Sequence, residues 1–409
     1  MKLVLFEDNF TSDLLPLVYF RPTWELRCGA RTLQQKIQRI SGQSCMGYAR
    51  DYLQQNYLEQ EQRPTANNAS DALWINARWI PSESGFAEIE SLEKNEALVY
   101  ENALVAARVQ WKTVEPFLTA EGLDSAGLMA TLRKRSGDAI LFRYIWQLVH
   151  QNGNEIVRDF QREERGQIFG TVDEGVHILE KERVHLGNGS RLKPGVVVDA
   201  EHGPVWIEDN VTVMPNAVLE GPLYIGANST IKIAAKIYEN TTIGPWCKIG
   251  GELEESIVQG YSNKQHDGFL GHAYLGSWVN LGADTNNSDL KNNYGTITAL
   301  VNGKPVETGS QFVGLIMGDH SKSAINMMFN TGTIVGVNSN IFCSGMPPKF
   351  VPSFSWGGDT ATQYGFEKAV EVAAAVMKRR KVNFTDADHA IFKWVWQSAK
   401  ALEKGSPIS

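Results

Sequence analysis

The sequence lacks the features that mark membrane and nucleic-acid-binding proteins. It has no apolar run long enough to cross a bilayer, and Glu7 and Asp8 interrupt its apolar start, which argues against a signal peptide. It has no long block of Lys or Arg, and its formal net charge is −7. We therefore expect no nucleic acid and no anionic membrane surface as a partner.

Cysteine is also scarce. The four cysteines, Cys28, Cys45, Cys247 and Cys343, are scattered and show no metal-ligand spacing. This pattern predicts a reduced, cytoplasmic protein without a cysteine-based metal site.

An aliphatic residue at every sixth position is the strongest positive signal. The run consists of Ile207, Val213, Leu219, Ile225, Ile231, Ile237, Ile243 and Ile249. The period matches neither an α-helix nor an alternating strand, but it is typical of hexapeptide repeats, in which three short strands and three corners make one coil. We predict a left-handed parallel β-helix.

The repeat extends in both directions, upstream through Leu186, Leu192 and Val198 and downstream through Phe269, Leu275 and Leu281. An interruption at residues 286–311 precedes its last part, and the remaining chain suffices for about seven coils of eighteen residues. Glycines directly after the aliphatic residue, as at Gly226 and Gly244, are expected to adopt backbone angles that are strained for other residues.

With 409 residues, the chain has room for two or three domains. Residues 1–168 mix strand-like and helix-like segments and predict an α/β domain, residues 169–352 form the β-helix, and residues 353–409 form a helical segment. The second C-terminal helix is expected to begin at Thr385, with Asp388 completing a capping box. These helices are expected to pack on the β-helix or on another subunit, or to cap the last coil.

Polar residues crowd into the coils between Gly260 and Gly295, where the motifs Asn280-Leu-Gly-Ala-Asp-Thr and Asn293-Tyr294-Gly295 occur. This region resembles the acetyltransferase half of the bifunctional family that makes UDP-N-acetylglucosamine, in which a glucosamine-1-phosphate N-acetyltransferase is fused to a pyrophosphorylase. The resemblance implies a β-helical homotrimer that uses acetyl-CoA, with the acyl donor lying in a groove between subunits.

Two histidines compete for the role of the family's catalytic base. His266 stands fourteen residues before Asn280, as the base does in the family, whereas His272 stands eight before it. We therefore assign His266 as the base, because imidazole can accept a proton near neutral pH. Phe269 then replaces the family's tyrosine.

The resemblance also implies binding residues. For the sugar phosphate they are Asn280, Lys291, Asn293 and Tyr294, and for acetyl-CoA they are Ala283, Lys322 and Cys343. The alternatives are that Lys291 is a solvated loop lysine and that Lys322 is only an exposed strand residue.

The N-terminal segment from Leu14 to Leu33 resembles a divergent branch of sugar nucleotidyltransferases. The family's glycine-rich phosphate loop is absent, and Asn76 stands in place of the metal-binding aspartate, although Mg²⁺ prefers anionic oxygen ligands. If this domain transfers nucleotides with Mg²⁺, Arg21 and Arg27 would bind the phosphates. Otherwise these arginines are structural, and the domain binds a sugar nucleotide without turning it over.

Two classes of function follow. In the first, the protein acetylates glucosamine 1-phosphate and also forms UDP-N-acetylglucosamine. In the second, the β-helix is a non-catalytic trimerising scaffold that carries either an active nucleotidyltransferase or a sugar-nucleotide-binding head.

Overall fold

The computed structural model describes residues 1–59, 66 and 71–403. Its N-terminal part is a six-stranded mixed sheet flanked by helices, which confirms the predicted α/β class. The order of the strands across the sheet is β6-β4-β5-β3-β1-β2, with β1 parallel to both of its neighbours and β5 antiparallel to β3 and β4. The strands are β1 (Lys2–Phe6), β2 (Cys45–Tyr48), β3 (Ala72–Asn76), β4 (Glu96–Tyr100), β5 (Ala103–Val109) and β6 (Arg133–Ser136).

Five helices of the described residues have eight or more residues: α1 (Leu33–Ser41), α2 (Glu83–Glu90), α3 (Ile145–Arg162), α4 (Phe366–Lys378) and α5 (Asp386–Leu402). Short hairpins form from Arg27–Cys28 with Arg31–Thr32 and from Leu118–Thr119 with Gly122–Leu123. A 3-10 helix, Thr11–Leu14, follows β1, and a second one spans Thr23–Glu25. Thr385 caps α5 with the predicted capping box to Asp388.

The middle of the chain is a parallel β-helix with three faces. The first face stacks nine strands: Val184–Leu186, Val205–Ile207, Leu223–Ile225, Thr241–Ile243, Ile257–Gly260, Tyr274–Ser277, Ile316–Met317, Ile334–Val335 and Phe350–Val351. The second face contains Thr171–Val172, Arg191–Leu192, Thr212–Val213, Thr230–Ile231, Lys248–Ile249, Asn263–Lys264, a bridge at Asn280, Lys322–Ser323, Asn340–Ile341 and Ser355–Trp356. The third face contains His177–Leu179, Val197–Asp199, Val218–Glu220, Lys236–Ile237, Glu252–Glu254 and Phe269–Gly271, followed by Asn286–Asn287 and Met328–Phe329.

The eight aliphatic residues of the run point into this β-helix and are at most 1% exposed. The fold class is therefore confirmed as an α/β domain followed by a parallel β-helix and C-terminal helices. The estimate of seven coils is too low, since the first face alone has nine strands. Some coils are shorter than eighteen residues: Thr242 pairs with Ile257, only fifteen positions later.

These shorter coils also shift the phase of the repeat. Leu270, not Phe269, pairs with the inward-facing Leu253 and is 1% exposed, whereas Phe269 is half-buried. The prediction that Phe269 belongs to the inward set is wrong by one position.

The glycines after the aliphatic residues have a different role from the predicted one. Positive φ angles occur at non-glycine corner residues such as Asn210, Asn228 and Trp246. A Cβ atom at Gly226 would lie 2.6 Å from the nitrogen of Pro245, and one at Gly244 would lie 2.1 Å from the carbonyl oxygen of Gln259. These glycines are required because the next coil approaches closely, and their own backbone angles do not require glycine.

The N-terminal domain covers the first face of the β-helix. The outward side chains of this face include Trp206, Tyr224 and Tyr274, all at most 3% exposed. Helix α3 crosses it, and Asn152 accepts hydrogen bonds from the amide of Gly29 at 2.7 Å and the hydroxyl of Thr242 at 3.0 Å. The two domains therefore share one hydrophobic core, a contact that the sequence did not predict.

The C-terminal helices return to the start of the chain. Trp394 of α5 stacks on Tyr52 with 3.6 Å between ring centroids, and Phe392 stacks on Phe20 at 4.5 Å. Glu403 accepts hydrogen bonds from Tyr19 in the N-terminal domain and from Ser353 in the β-helix. The helices thus join both domains. The end of the predicted last segment, residues 404–409, lies outside the described residues.

Among the described residues, none of the helices has the length and apolar character needed to span a bilayer. In the same ranges, no group of three or more His, Cys, Asp and Glu side chains is arranged to hold a metal ion.

Candidate functional site

His266 lies on the edge between the second and third faces, in the corner that follows Asn263–Lys264. Its side chain is exposed, and it forms no hydrogen bond or ion pair with any described residue. The backbone carbonyl of His266 accepts a hydrogen bond from the buried Lys264 amine at 3.0 Å, which fixes the corner. The imidazole is therefore free to contact a ligand.

Three other predicted residues lie on neighbouring coils near the same edge: Asn280, Ala283 and Lys322. Asn280 bridges Asn263 and Lys322 on the second face. Ala283 occupies the corner one coil beyond His266, where the amide of Asp284 donates to the carbonyl of Asp267 at 3.0 Å. The structure brings these residues onto one surface.

Lys322 and Cys343 extend this surface towards the C-terminal end. The Lys322 amine donates to the carbonyl of His320 at 2.7 Å, and burial lowers its pKa to about 8. Cys343 is half-buried, its thiol donates to the carbonyl of Gly345 at 3.1 Å, and burial raises its pKa.

The remaining predicted sugar-binding residues lie elsewhere. Residues 288–315 leave the β-helix after the third face and re-enter on the first face, so Lys291, Asn293 and Tyr294 lie at the other edge of the third face. Lys291 donates to the carbonyl of Thr296, and Tyr294 is 67% exposed. Within one chain, this loop is not brought together with His266.

The competing histidine, His272, is held between two carboxylates. Its Nδ1 lies 2.8 Å from Asp289 and its Nε2 lies 3.1 Å from Glu255. Burial disfavours its charged form, but the hydrogen bonds to Asp289 and Glu255 outweigh burial and raise the pKa to about 9. An imidazolium has no lone pair to accept a proton, so this geometry is unsuited to a base at neutral pH.

Arg21 and Arg27 lie at the interface between the domains. Arg21 is 7% exposed and forms a bidentate ion pair with Asp319 of the β-helix. Arg27 is 8% exposed, donates to the carbonyl of Ala30 at 2.6 Å and lies over the ring of Tyr224. These contacts agree with the alternative that Arg21 and Arg27 are structural residues and do not bind phosphate.

The residues at the predicted metal position do not fit Mg²⁺. The carboxylate of Asp8 accepts hydrogen bonds from Arg78, Asn76 and the amide of Phe10. Both of its oxygens are thus engaged by nitrogen donors, and Asn76 supplies only an amide. We derive no step through a metal at this position.

Two neighbours of His266 were missed in the sequence. Lys264 occupies an inward position, paired with Ile249, and is 1% exposed, with its pKa lowered to about 8 by burial. Asn263 accepts a hydrogen bond from Arg380, just beyond α4, at 2.8 Å. The six-residue spacing could have located Lys264 once the shorter coils were known, but no sequence signal connects Asn263 with Arg380.

Both domains of the chain are similar in sequence to known proteins. Residues 3–168 match the family described as sugar nucleotidyl transferase. Over 156 residues the chain is 31% identical to the bifunctional protein GlmU of Rippkaea orientalis, covering 36% of this chain and 32% of that protein. Over 245 residues it is 29% identical to GlmU of Acidithiobacillus ferrooxidans, covering 59% of this chain and 50% of that protein. The chain thus spans half or less of the length of these relatives.

Among solved structures, the UDP-N-acetylglucosamine acyltransferase from Campylobacter jejuni is 13% identical, with a TM-score of 0.27 over 58% of this chain and 99% of that one. So low a score supports no argument about function. The sequence matches are more informative: the chain is similar to the bifunctional GlmU proteins, and its residues 3–168 match the sugar nucleotidyl transferase family.

Proposed function

We propose that the protein is an acyl-CoA-dependent N-acetyltransferase that moves an acetyl group from acetyl-CoA to the amine of glucosamine 1-phosphate. The observation that carries this proposal is the exposed, unpaired imidazole of His266 on an edge shared with Asn280, Ala283 and Lys322. The similarity to GlmU proteins supports the choice of reaction.

In the proposed reaction, the amine nitrogen attacks the thioester carbonyl and His266 accepts the amine proton. The new C–N bond forms as the C–S bond breaks, and coenzyme A leaves as the thiol or thiolate. Asn280 would donate a neutral hydrogen bond to the sugar or to the acyl oxygen, while the edge from Ala283 to Cys343 would hold the acyl donor.

A homotrimer is part of this proposal. Lys291, Asn293 and Tyr294 lie on a different edge of the β-helix from His266, so a neighbouring copy would have to supply them to the same site. The first face is covered by the N-terminal domain, so copies would contact one another through the second and third faces, the second of which Arg380 already contacts at Asn263. The unpaired cysteines support a location in a reducing compartment such as the cytoplasm.

A second activity, nucleotidyl transfer that forms UDP-N-acetylglucosamine, is proposed for the N-terminal domain because residues 3–168 match sugar nucleotidyl transferases. Release of pyrophosphate from UTP and N-acetylglucosamine 1-phosphate, assayed with and without Mg²⁺, tests it. Absence of release under both conditions would exclude this activity and leave the acetyltransferase proposal intact.

Acetyl transfer is tested by the variant His266→Ala. We expect kcat to fall by about 100-fold or more, since general-base catalysis typically contributes this much, with the fold unchanged because the side chain is exposed. The matched control is His202→Ala, which removes an exposed histidine outside the proposed site. Full acetyltransferase activity of the His266 variant, measured by thiol release from acetyl-CoA, would refute the assignment.

A further inference from the structure

Four basic side chains gather on the second face of the β-helix and on its edge with the third face. We call them the basic cluster: Lys232, Lys248, Arg379 and Arg380. The two lysines belong to the coils before His266, and the two arginines directly follow α4. The predicted acyl-donor edge runs from His266 towards later coils, so the basic cluster lies on the opposite side of His266 from it.

The backbone register fixes the positions of the two lysines. The amide of Lys232 donates to the carbonyl of Ile249 at 2.7 Å, which places Lys232 in the corner beside Lys248. Lys248 pairs with Asn263 on the next coil, and the side chain of Asn263 accepts a hydrogen bond from Arg380 at 2.8 Å. Three of the four cations are therefore held on neighbouring coils by contacts that involve no carboxylate.

The basic cluster carries positive charge that nothing in the described chain neutralises. Within the part of the chain that the structure describes, none of its four side chains forms an ion pair. Burial lowers the pKa of Lys248, and the charges of Arg380, Lys232 and Arg379 lower it further. Like charges this close repel one another, and a bound dianion would remove the repulsion. The basic cluster therefore favours an anionic ligand.

A hydrogen-bond chain connects the basic cluster with the candidate site. Asn263, which accepts from Arg380, donates its own amide hydrogen to the side-chain oxygen of Asn280 at 3.4 Å. The amide nitrogen of Asn280 has no acceptor among the described residues, so it is available to a ligand. An anion at the basic cluster would thus lie beside a group that the candidate site also uses.

The basic cluster is also close to His266 along the edge. A Cβ atom on Gly250 would lie 3.0 Å from the Cβ atom of Lys232 and 2.6 Å from the carbonyl oxygen of Gln265, the residue before His266. Lys232 and the corner of His266 therefore flank the same glycine. A ligand bound by the basic cluster lies next to the corner that carries the imidazole.

We propose that the basic cluster binds a phosphate group carried by a small anionic ligand. A phosphate monoester has a charge of about −1.5 to −2 at neutral pH and three strong acceptor oxygens, which suits several lysine and arginine donors at once. The phosphate has two possible sources. One is the amino-sugar phosphate that accepts the acetyl group, and for this source the proposal rests on the proposed acetyl transfer. The other is a free phosphate that binds independently of the reaction.

The test is calorimetric titration of the full chain with glucosamine 1-phosphate, with inorganic phosphate and with glucosamine, at about 0.1 M salt and without acetyl-CoA. We expect both phosphates to bind, and glucosamine to bind much more weakly. Lys248→Met and Lys232→Met should each weaken phosphate binding about tenfold, because each removes one charged donor. The affinity of the wild type should fall at higher salt, since these charges are partly exposed and are screened.

Lys193→Met is the matched control. Lys193 is half-buried on the same edge, two coils before Lys232, which places it about 10 Å away at the usual spacing of strands. A charge at that distance is largely screened at about 0.1 M salt, so this variant should bind phosphate as the wild type does. Circular dichroism shows whether each variant folds, and the two cluster variants keep the test decisive if one of them does not.

Acetyl-transfer kinetics identify the source of the phosphate. If it belongs to the acceptor, Lys248→Met should raise the KM for glucosamine 1-phosphate and leave the KM for acetyl-CoA unchanged. If it is a free anion, both KM values should stay as in the wild type while phosphate binding weakens.

Three results would overturn the proposal: no phosphate binding by the wild type, equal binding of glucosamine and glucosamine 1-phosphate, or wild-type phosphate affinity in the folded cluster variants. In the first case, carboxylates of a neighbouring copy would be the better partner for the basic cluster. Phosphate binding without acetyl transfer would leave this inference standing while the proposed acetyltransferase function fails.

Discussion

Single residues of the same type differ in function because their surroundings differ. His266 and His272 lie six positions apart, yet one is exposed and unpaired while the other is 8% exposed between two carboxylates. Counting positions to Asn280 selected His266, and that assignment stays a prediction, whereas the raised pKa of His272 makes His272 unsuited to be a base at neutral pH. The ion pairs of His272 could not be predicted, because Asp289 and Glu255 are each seventeen positions away along the chain.

The pH dependence of stability should report the His272 ion pairs. The pKa of His272 is raised to about 9 from an ordinary value of 6.5, so its stabilisation is complete below pH 6.5 and is lost as the pH rises through 9. His150, Glu254 and Phe312 also face this ring or lie near it. His272→Asn should lower the free energy of unfolding by about 3 kcal/mol at pH 6 and by much less at pH 10. Urea unfolding at both pH values measures this.

The control for that experiment is His202→Asn, which changes an exposed histidine. It should leave the pH dependence as it is in the wild type. An equal destabilisation by His272→Asn at both pH values would contradict the assigned ion pairs.

The buried pair between Arg21 and Asp319 should be important for stability. Arg21→Met leaves Asp319 buried without its partner, and the loss should be about 3–5 kcal/mol in urea unfolding. Arg143→Met, which breaks the exposed pair with Asp13, should cost about 1 kcal/mol or less. The double variant Arg21→Met/Asp319→Leu should recover most of the loss. If Arg21→Met weakened nucleotide binding without changing stability, the phosphate-binding assignment would be correct instead.

At the level of elements, the sequence predicted what each segment is but not what it packs against. The repeat located the β-helix, and the capping box at Thr385 located α5, because both signals are local. The contact of α3 with Asn240 joins residues 88 positions apart, and α5 contacts Phe20 near the start of the chain, so no local pattern encodes either contact. The predicted number of coils and the predicted inward position of Phe269 were wrong, because the shorter coils change the period of the repeat.

The packing of α3 against the β-helix can be tested at Gly153. Replacing a mid-helix glycine with alanine normally stabilises a helix by about 0.5–1 kcal/mol. Here a Cβ atom would lie 1.8 Å from the side-chain oxygen of Asn240, so Gly153→Ala should destabilise the protein instead. Thermal unfolding measures the sign.

Asn240→Gly provides the matched rescue for that variant. It removes the obstructing side chain, and glycine accepts the positive φ of 55° at this corner. The double variant should regain most of the lost stability. If Gly153→Ala alone raised the melting temperature, the close contact would be refuted.

At the scale of the whole molecule, one hydrophobic cluster of the described residues crosses the boundary between the domains. Tyr274 and Ile316 of the β-helix share a hydrophobic cluster with Trp146 and Leu148 of α3. The boundary near residue 168 stays a prediction: α3 ends at Arg162, the first strand of the β-helix begins at Thr171, and the packing continues across this point. A sequence reveals the change of period at such a boundary, but it does not reveal that Trp206 and Tyr224 are covered.

We expect the domains to unfold together. Calorimetric unfolding should show one transition, coincident by far-ultraviolet circular dichroism and tryptophan fluorescence. A fragment of residues 169–409 should be poorly soluble, because it exposes Trp206, Tyr224 and Tyr274, whereas residues 169–409 co-expressed with residues 1–168 should be soluble. Two well-separated transitions would contradict a shared core.

The contact between the two ends of the chain has a consequence for protein synthesis. Tyr19 donates its hydroxyl hydrogen bond to Glu403, 384 positions later. At typical translation rates, Tyr19 and its neighbours Phe20 and Tyr52 would wait about 20 to 75 seconds on the ribosome before α5 emerges to cover them. The nascent chain therefore displays a temporary aromatic surface, on which a chaperone could act until the last helix is made.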